Sequence, residues 1–269
     1  MSEDILLSLV GFLTTAVGAV LYFAKVKKRR TPKVPVLFIT ALAIGSLLST
    51  IAIILTVQSL SSGSLLVFLM SAMPLMMTTV FFVTFKEAKP PLGNLQVKVG
   101  DKVPQFQAKN IDGTVFDANH LIGQRTLLKF FRGSWCPYCS TELQMFEEMK
   151  PVFDEYNVNI IAISNDDIQS AKKHQERDHL SHTLLSDPEL TVIRQFGVEH
   201  HKALGGESAS SKTFFGLPFP MMMKYKPMAI PTTLLIDEEG IIRWIDQAED
   251  VRLRANEFKL KEALKTLVE

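Results

Sequence analysis

The sequence of 269 residues predicts three transmembrane α-helices followed by an α/β domain in which helices flank a central mixed sheet. Two observations predict this architecture. The first ninety residues contain three long apolar runs without a charged side chain, which is typical of membrane spans. The rest of the chain alternates short apolar strands with helical segments, a pattern that indicates α/β layers.

The three apolar runs lie at about residues 5–24, 34–57 and 65–85. At about 1.5 Å per residue, each is long enough to cross a hydrocarbon core of about 30 Å. The first run is not a typical signal peptide, because acidic rather than basic residues precede it and two more apolar runs follow. We therefore predict a transmembrane region over residues 1–88, a linker over 89–98 and a folded domain over 99–269.

The orientation of the spans follows from the charges of their loops. Basic residues crowd the first loop, whereas the second loop has no charge. The positive-inside rule places the basic loop in the cytoplasm, and three spans then return the C-terminal domain to the cytoplasm. We expect an integral protein of a bacterial inner membrane with this domain on the cytoplasmic side. The basic residues of the first loop are Lys25, Lys27, Lys28, Arg29, Arg30 and Lys33.

The apolar runs contain no Asp, Glu, Lys, Arg, His or Cys. They therefore show no proton relay, no haem ligand and no thiol pathway through the membrane. The simplest interpretation is a membrane anchor. A scaffold for a membrane partner or a quinone is the alternative.

Composition excludes two classes of protein. The formal charge is +1, from 29 basic and 28 acidic side chains, so no excess of charge indicates nucleic-acid binding. Two cysteines do not build the disulfide framework of a small secreted domain.

Secondary structure in the C-terminal domain is predicted from hydrophobic periodicity and turn residues. Predicted strands lie at 126–131, 158–164, 183–185, 232–236 and 241–245, and predicted helices at 137–150, 166–178, 188–196 and 253–268.

Residues 200–229, called the insertion below, fit neither pattern. They contain Gly205-Gly206, a Ser-rich patch, and then Phe, Pro and three consecutive Met residues. The simplest interpretation is an insertion that packs over its own domain. A substrate groove and a membrane-dipping loop are alternatives, because Met and aromatic clusters suit adaptable apolar contacts.

Both cysteines lie in one motif, Trp135-Cys136-Pro137-Tyr138-Cys139, between a predicted strand and a predicted helix. A helix N-terminus carries unpaired N–H groups and a partial positive charge, which stabilise a thiolate and lower the pKa of a cysteine. The three-residue spacing brings both side chains onto one face, so a disulfide can close between them. We expect Cys136 to attack a substrate and Cys139 to resolve the mixed disulfide.

Two other interpretations of the cysteine pair are weaker. A structural zinc site would need His200 and His201 from the insertion, because the chain has no second Cys-x-x-Cys. A pair without any role is disfavoured, because strand, Cys-x-x-Cys and helix in this order form a specific pattern. We therefore expect neither a metal nor a cofactor.

The residues around the cysteines resemble a known family. The run FFRGSWCPYC at 130–139, with Glu142-Leu143 after it, is similar to the thioredoxin-fold, peroxiredoxin-like proteins of the AhpC/TSA group. The run IPTTLLID at 230–237 carries the same resemblance, which extends over about residues 99–268. The resemblance implies a thioredoxin-like fold.

The resemblance also implies roles for neighbouring residues. It implies a cis Ile230–Pro231 bond, with Pro231 and the backbone of Ile230 beside Cys136 to accept a substrate strand. The chemistry of three residues near the cysteines indicates further roles. Trp135 is expected either to shield the thiols or only to pack. Arg132 is either a cation that lowers a cysteine pKa or a solvated charge at the strand end. Glu142 either assists proton transfer or is a carboxylate stabilised by the helix dipole.

The sequence departs from peroxiredoxins at two places. That family has Thr or Ser three residues before the peroxidatic cysteine, and Arg near the start of the strand predicted at 232–236. Here Gly133 lies three residues before Cys136, Cys136 lies three before Cys139, and Pro231 stands where the Arg is expected. The peroxide site is therefore expected to be incomplete, which favours disulfide exchange.

We predict a membrane-anchored thiol–disulfide oxidoreductase that acts on a thiol or disulfide, in a protein or a small molecule, and depends on an electron donor. A thiol peroxidase that forms a cysteine sulfenic acid is the alternative. A non-catalytic redox sensor is a further alternative.

Overall fold

The computed structural model describes residues 2–59, 64–208, 211–214 and 216–267. The chain divides into two compact units, Met1–Glu87 and Ala88–Glu269.

The first unit consists of three long apolar helices, as the sequence predicts. They are α1 (Glu3–Lys27), α2 (Val36–Ser59) and α3 (Ser64–Lys86). Each is long and apolar enough to cross a membrane, so all three are candidate membrane spans.

Small residues let α1 and α2 approach closely. A Cβ atom on Gly11 would lie 2.9 Å from the carbonyl oxygen of Gly45, so neither position has room for a side chain. Close backbone approach through small residues is the usual way for apolar helices to associate in lipid, where the hydrophobic effect does not drive them together.

The second unit contains a seven-stranded mixed sheet. Its strands are β1 (Gln107–Asn110), β2 (Val115–Asp117), β3 (Arg125–Phe130), β4 (Val158–Ser164), β5 (Thr183–Ser186), β10 (Thr232–Ile236) and β11 (Ile242–Gln247). They lie in the order β11-β10-β3-β4-β5-β1-β2. The strands β3, β4 and β5 are parallel, and the outer strands pair antiparallel.

Helices cover the sheet and build a hydrophobic core on each face. They are α4 (Pro137–Glu148), α5 (Lys150–Glu155), α6 (Ile168–Asp178), α7 (Thr191–Gln195) and α8 (Glu257–Lys265), with a short 3-10 helix at Ala118–Leu121. On β3, Leu127 lies in the core with Phe146 and Phe153, whereas Leu128 lies in the core with Phe196. Because central strands are buried on both faces, β3 reads as one apolar run in the sequence. The observed architecture is the predicted thioredoxin-like fold.

The insertion forms strands rather than an irregular loop. The strands β6 (Glu199–Gly206) and β9 (Met223–Ala229) pair antiparallel, and β7 (Ser211–Phe214) and β8 (Leu217–Pro220) form a hairpin between them. The sequence signal for these strands is weak because Gly and Pro, which are depleted in strands, recur through this segment.

Candidate active site

The two cysteines lie where β3 leads into α4. Cys136 is the N-cap residue of α4, Pro137 is its first residue, and Cys139 lies in its first turn. The carbonyl oxygen of Cys136 accepts hydrogen bonds of 3.1 Å from the backbone N–H groups of Cys139 and Ser140. Both thiols are free, and their residues are only 1% and 0% exposed. The structure therefore describes a reduced and covered dithiol.

A cation that no sequence motif marks lies beside this dithiol. Arg254, in the segment between β11 and α8, donates from a terminal nitrogen to Cys139 Sγ at 3.5 Å. The same guanidinium donates to the carbonyl oxygens of Val251 and Leu253 at 2.6 and 2.8 Å. These contacts fix the positive charge next to the sulfur.

Glu142 lies between two cations, the buried Lys129 and Arg254, whose side chain is 10% exposed. Its Oε2 accepts from Arg254 Nε at 2.7 Å, and its Oε1 accepts from Lys129 Nζ at 2.7 Å. Lys129 also donates to Thr233 Oγ1 at 3.0 Å. Lys129 and Glu142 are each 2% exposed. Buried charges persist only when they are paired and hydrogen-bonded, so this carboxylate holds both cations in the core.

The two thiols differ in acidity. Burial is the largest influence on Cys136 and, together with the hydrogen bond to Cys139, raises the pKa of Cys136 well above its usual range. Burial also acts on Cys139, but the hydrogen bond from Cys136 and the charge of Arg254 outweigh it and lower the pKa of Cys139 to about 5. The Arg254 guanidinium, in contact with Cys139 Sγ, therefore favours the thiolate at Cys139.

Trp135 and the insertion cover the thiols. Trp135 is 3% exposed and belongs to the same hydrophobic core as both cysteines. A Cβ on Gly205 or on Gly206 would lie 3.0 Å from ring atoms of Trp135, so β6 rests directly on the indole. Absence of side chains at these two positions is what permits that contact.

Arg132 joins β3 to the insertion. Its guanidinium lies 4.9 Å from the centre of the Trp135 ring and donates to the carbonyl oxygen of Leu204 at 2.7 Å. Its Nε also contacts Met228 Sδ at 3.3 Å. Arg132 is 8% exposed, so it is a buried link to β6 and β9 rather than a solvated charge at the strand end.

Asp166 makes a second connection between the cysteine loop and the insertion. Its Oδ2 accepts from the backbone N–H of Ser134 at 2.6 Å, and its Oδ1 accepts from Ser208 Oγ at 2.6 Å. One buried carboxylate thus holds both the loop that precedes Cys136 and the segment that follows β6.

The predicted cis bond at Pro231 is wrong, because the Ile230–Pro231 peptide bond is trans. The chain passes from β9 to β10 through these two residues, and trans is the more stable state of an X–Pro bond. The N–H of Ile230 donates to the carbonyl oxygen of Val198 at 2.7 Å, and its carbonyl oxygen accepts from Thr232 Oγ1 at 3.0 Å. The backbone of Ile230 is therefore occupied by contacts within the protein.

The sequence offered a signal for Lys129 but none for Arg254. A lysine inside an apolar strand must find a buried partner, and Glu142 on the next helix is that partner. Arg254 lies among other charged residues in an irregular segment, where no periodicity distinguishes it. Over the described part of the chain, no group of three His, Cys, Asp or Glu side chains is placed to hold a metal ion.

A mixed sheet, flanking helices and a reduced dithiol at a helix N-terminus define a thioredoxin-fold thiol oxidoreductase. The chain belongs to the AhpC/TSA family, whose model matches residues 99–245.

Three relatives illustrate the likeness. Peroxiredoxin Bcp of Escherichia coli is 29% identical over 112 residues, which cover 42% of this chain and 72% of that protein. Thiol-disulfide oxidoreductase ResA of Bacillus thuringiensis is 22% identical over 166 residues, which cover 62% of this chain and 79% of that protein. A crystal structure of a cysteine-to-serine mutant of peroxiredoxin 6 of Arenicola marina has a TM-score of 0.50 at 13% identity, with 63% of this chain and 72% of that chain covered. This last likeness shows the fold.

Proposed function

We propose that the chain is a membrane-anchored thiol peroxidase in which Cys139 attacks the peroxide and Cys136 resolves the product. One observation carries the proposal, namely the 3.5 Å contact between the Arg254 guanidinium and Cys139 Sγ. The sequence by itself disfavours this activity, because the family's Thr or Ser is missing before the cysteines and Pro231 stands where its Arg is expected. Arg254 supplies a cation at the sulfur from another part of the chain.

The first step is attack of the Cys139 thiolate on the nearer oxygen of a peroxide ROOH. The S–O bond forms, the O–O bond breaks, and RO⁻ leaves, so the sulfur is oxidised to a sulfenic acid and the peroxide is reduced. The leaving oxygen takes a proton and becomes ROH. Arg254 is placed to stabilise the negative charge that moves from sulfur to oxygen, because a fixed cation in a buried site acts with little screening.

The second step forms a disulfide. The Cys136 sulfur, after losing its proton, attacks Sγ of the Cys139 sulfenic acid, and hydroxide leaves and is protonated to water. The three-residue spacing within the first turn of α4 places the resolving thiol beside its target. Two electrons from an external thiol reductant then restore the dithiol.

The order of the two cysteines in this proposal reverses the sequence-based expectation. The geometry supports the reversal. Cys139 is the residue in contact with Arg254, and the positive charge of Arg254 lowers the pKa of Cys139. The thiolate is the nucleophile in both peroxide reduction and disulfide exchange, so the charged residue attacks first.

Burial also supports a small substrate. Cys136 and Cys139 are 1% and 0% exposed beneath Trp135 and the insertion. A protein disulfide needs a wide opening to reach Cys139, whereas a hydroperoxide group needs only a narrow channel. The name of the Escherichia coli relative, peroxiredoxin Bcp, agrees with this choice.

Thiol–disulfide exchange is the second candidate, and the paired cysteines favour it. A dithiol at a helix N-terminus reduces a disulfide by forming a mixed disulfide and then closing its own. The relative named thiol-disulfide oxidoreductase ResA agrees with this activity. In this case Trp135 and the insertion would have to move before a protein substrate reaches the sulfur.

We also propose that α1, α2 and α3 anchor the oxidoreductase in a bacterial inner membrane with the dithiol on the cytoplasmic side. The basic loop between α1 and α2 supports this orientation through the positive-inside rule.

Stopped-flow oxidation of the full chain in uncharged detergent micelles separates the two activities. The pre-reduced protein is mixed with hydrogen peroxide, cumene hydroperoxide or a dipyridyl disulfide, and Trp135 reports the change next to the thiols. We expect peroxide to oxidise the protein about a hundredfold faster than it oxidises free cysteine at the same pH, because the cation is preorganised beside the sulfur. Fast reaction with the disulfide and ordinary reaction with both peroxides would instead support exchange.

A further inference from the structure

Exposed apolar side chains concentrate at the end of the insertion, residues 211–226, called the tip below. Among the described residues of the second unit, half of the large exposed hydrophobic side chains lie within this segment. Phe214 is 49% exposed and Met222 is 64% exposed. Clustered apolar exposure of this kind marks an interaction surface. The exposed side chains of the tip are Phe214, Met221, Met222, Met223 and Tyr225.

The tip is also positively charged. It contains Lys212, Lys224 and Lys226 and no Asp or Glu. A further cation, Lys202 of β6, lies 5.5 Å from the centre of the Tyr225 ring. Glu207, just before the tip, pairs with Lys224. Lys226 is half-buried, with its Nζ 6.0 Å from the centre of the Trp135 ring. The exposed cations beside the apolar side chains are therefore Lys202, Lys212 and the Glu207-paired Lys224.

We propose that the tip docks on the anionic lipid surface of the membrane that holds the chain's own helices. Met and aromatic side chains enter the boundary between headgroups and acyl chains, while lysines contact the lipid phosphates. Each lysine near an anionic surface strengthens binding roughly fivefold.

The three apolar helices of the chain favour lipid rather than a protein as the partner of this surface. The same chain carries three helices that are long and apolar enough to span a membrane. A domain joined to such helices stays close to a bilayer, so a surface of low intrinsic affinity still docks, because the encounter is intramolecular. The combination of basic and apolar residues matches an anionic bilayer in both charge and polarity.

Hydrogen–deuterium exchange on the full chain tests this docking. The protein is placed in nanodiscs of phosphatidylcholine, in nanodiscs of phosphatidylcholine and phosphatidylglycerol, and in uncharged detergent micelles. We expect amide exchange over residues 211–226 to be slower by about fivefold or more in the anionic nanodiscs than in the other two. High salt should reduce this difference, because screening weakens contacts between lysine and phosphate.

Matched variants assign the effect to the tip. The triple change Lys212→Glu, Met221→Ser and Met222→Ser should abolish the protection in anionic nanodiscs. The control pair Phe258→Ser and Lys261→Glu alters an exposed apolar and an exposed basic residue on α8 and should leave the protection unchanged. Equal exchange in all three environments would overturn the proposal. Protection that appears only when two chains share a nanodisc would also overturn it, in favour of a second copy.

Discussion

The guanidinium of Arg254 lies 3.5 Å from Cys139 Sγ, although the two residues are far apart in the sequence. Glu142 orients this guanidinium from α4, and Lys129 holds Glu142 from β3. A chain of buried contacts thus runs from the central strand to the sulfur. This network links the packing of the sheet to the acidity of one cysteine.

Replacing Arg254 is expected to shift the pH dependence of peroxide oxidation. With the pKa of Cys139 at about 5, the thiolate is present above that pH, and the oxidation rate falls as pH drops through it. In Arg254→Gln the pKa of Cys139 rises toward the ordinary cysteine value of about 8.5, so the rate at pH 6 falls about tenfold or more.

Stopped-flow rates between pH 4 and pH 9, roughly spanning both pKa values, give the midpoint for each variant. Arg254→Lys keeps the positive charge and should keep the midpoint close to that of the native chain. An unchanged midpoint in Arg254→Gln would show that this cation does not set the acidity of Cys139.

Removing the carboxylate of Glu142 is expected to destabilise the second unit. Glu142→Gln leaves Lys129 and Arg254 without a buried counter-charge, and breaking a buried pair in this way costs about 3–5 kcal/mol. The free energy of unfolding can be measured with denaturant by tryptophan fluorescence, because both Trp residues lie in this unit. The exposed change Glu155→Gln serves as the control. An equally small loss of unfolding free energy in both variants would contradict the prediction.

The sequence predicted the fold more completely than the site. Apolar runs and alternating elements are local patterns, so the three helices, the mixed sheet and the dithiol at the start of α4 were accessible. Arg254 reaches Cys139 only because the segment between β11 and α8 packs beside the start of α4, which no local pattern records. The strands of the insertion were hidden for another reason, because their pairing outweighs the poor strand propensity of Gly and Pro.

The contact between β6 and Trp135 is expected to control access to the thiols. In Gly205→Ala the added Cβ overlaps Met228 Cε, and in Gly206→Ala it overlaps Pro220 Cβ. Each added Cβ also lies 3.0 Å from the indole of Trp135, so β6 must shift against these neighbours. The overpacking destabilises the covered state of the thiols by about 1–3 kcal/mol. Alkylation of the reduced protein by iodoacetamide, followed by mass spectrometry, should therefore accelerate about tenfold. Thr213→Ala, on the exposed hairpin of the insertion, should react like the native chain. Unchanged alkylation in both glycine variants would show that β6 does not limit access.

The proposed orientation is tested with single cysteines in a background where Cys136 and Cys139 are replaced by serine. A membrane-impermeant maleimide should label Ser2→Cys in intact cells but not Glu155→Cys, because three spans place the N-terminus outside and the second unit inside. Labelling of Glu155→Cys in intact cells would place the second unit on the outer side.

The position of the sulfenic acid tests the central claim most directly. The reduced full chain and its two single variants are treated with one equivalent of hydrogen peroxide, trapped with dimedone and analysed by mass spectrometry. We predict that Cys136→Ser accumulates a dimedone adduct on Cys139, that Cys139→Ser gives no rapid adduct, and that the native chain forms the Cys136–Cys139 disulfide. A rapid adduct on Cys136 in Cys139→Ser, with none on Cys139 in Cys136→Ser, would contradict the assignment of Cys139 as the attacking thiolate.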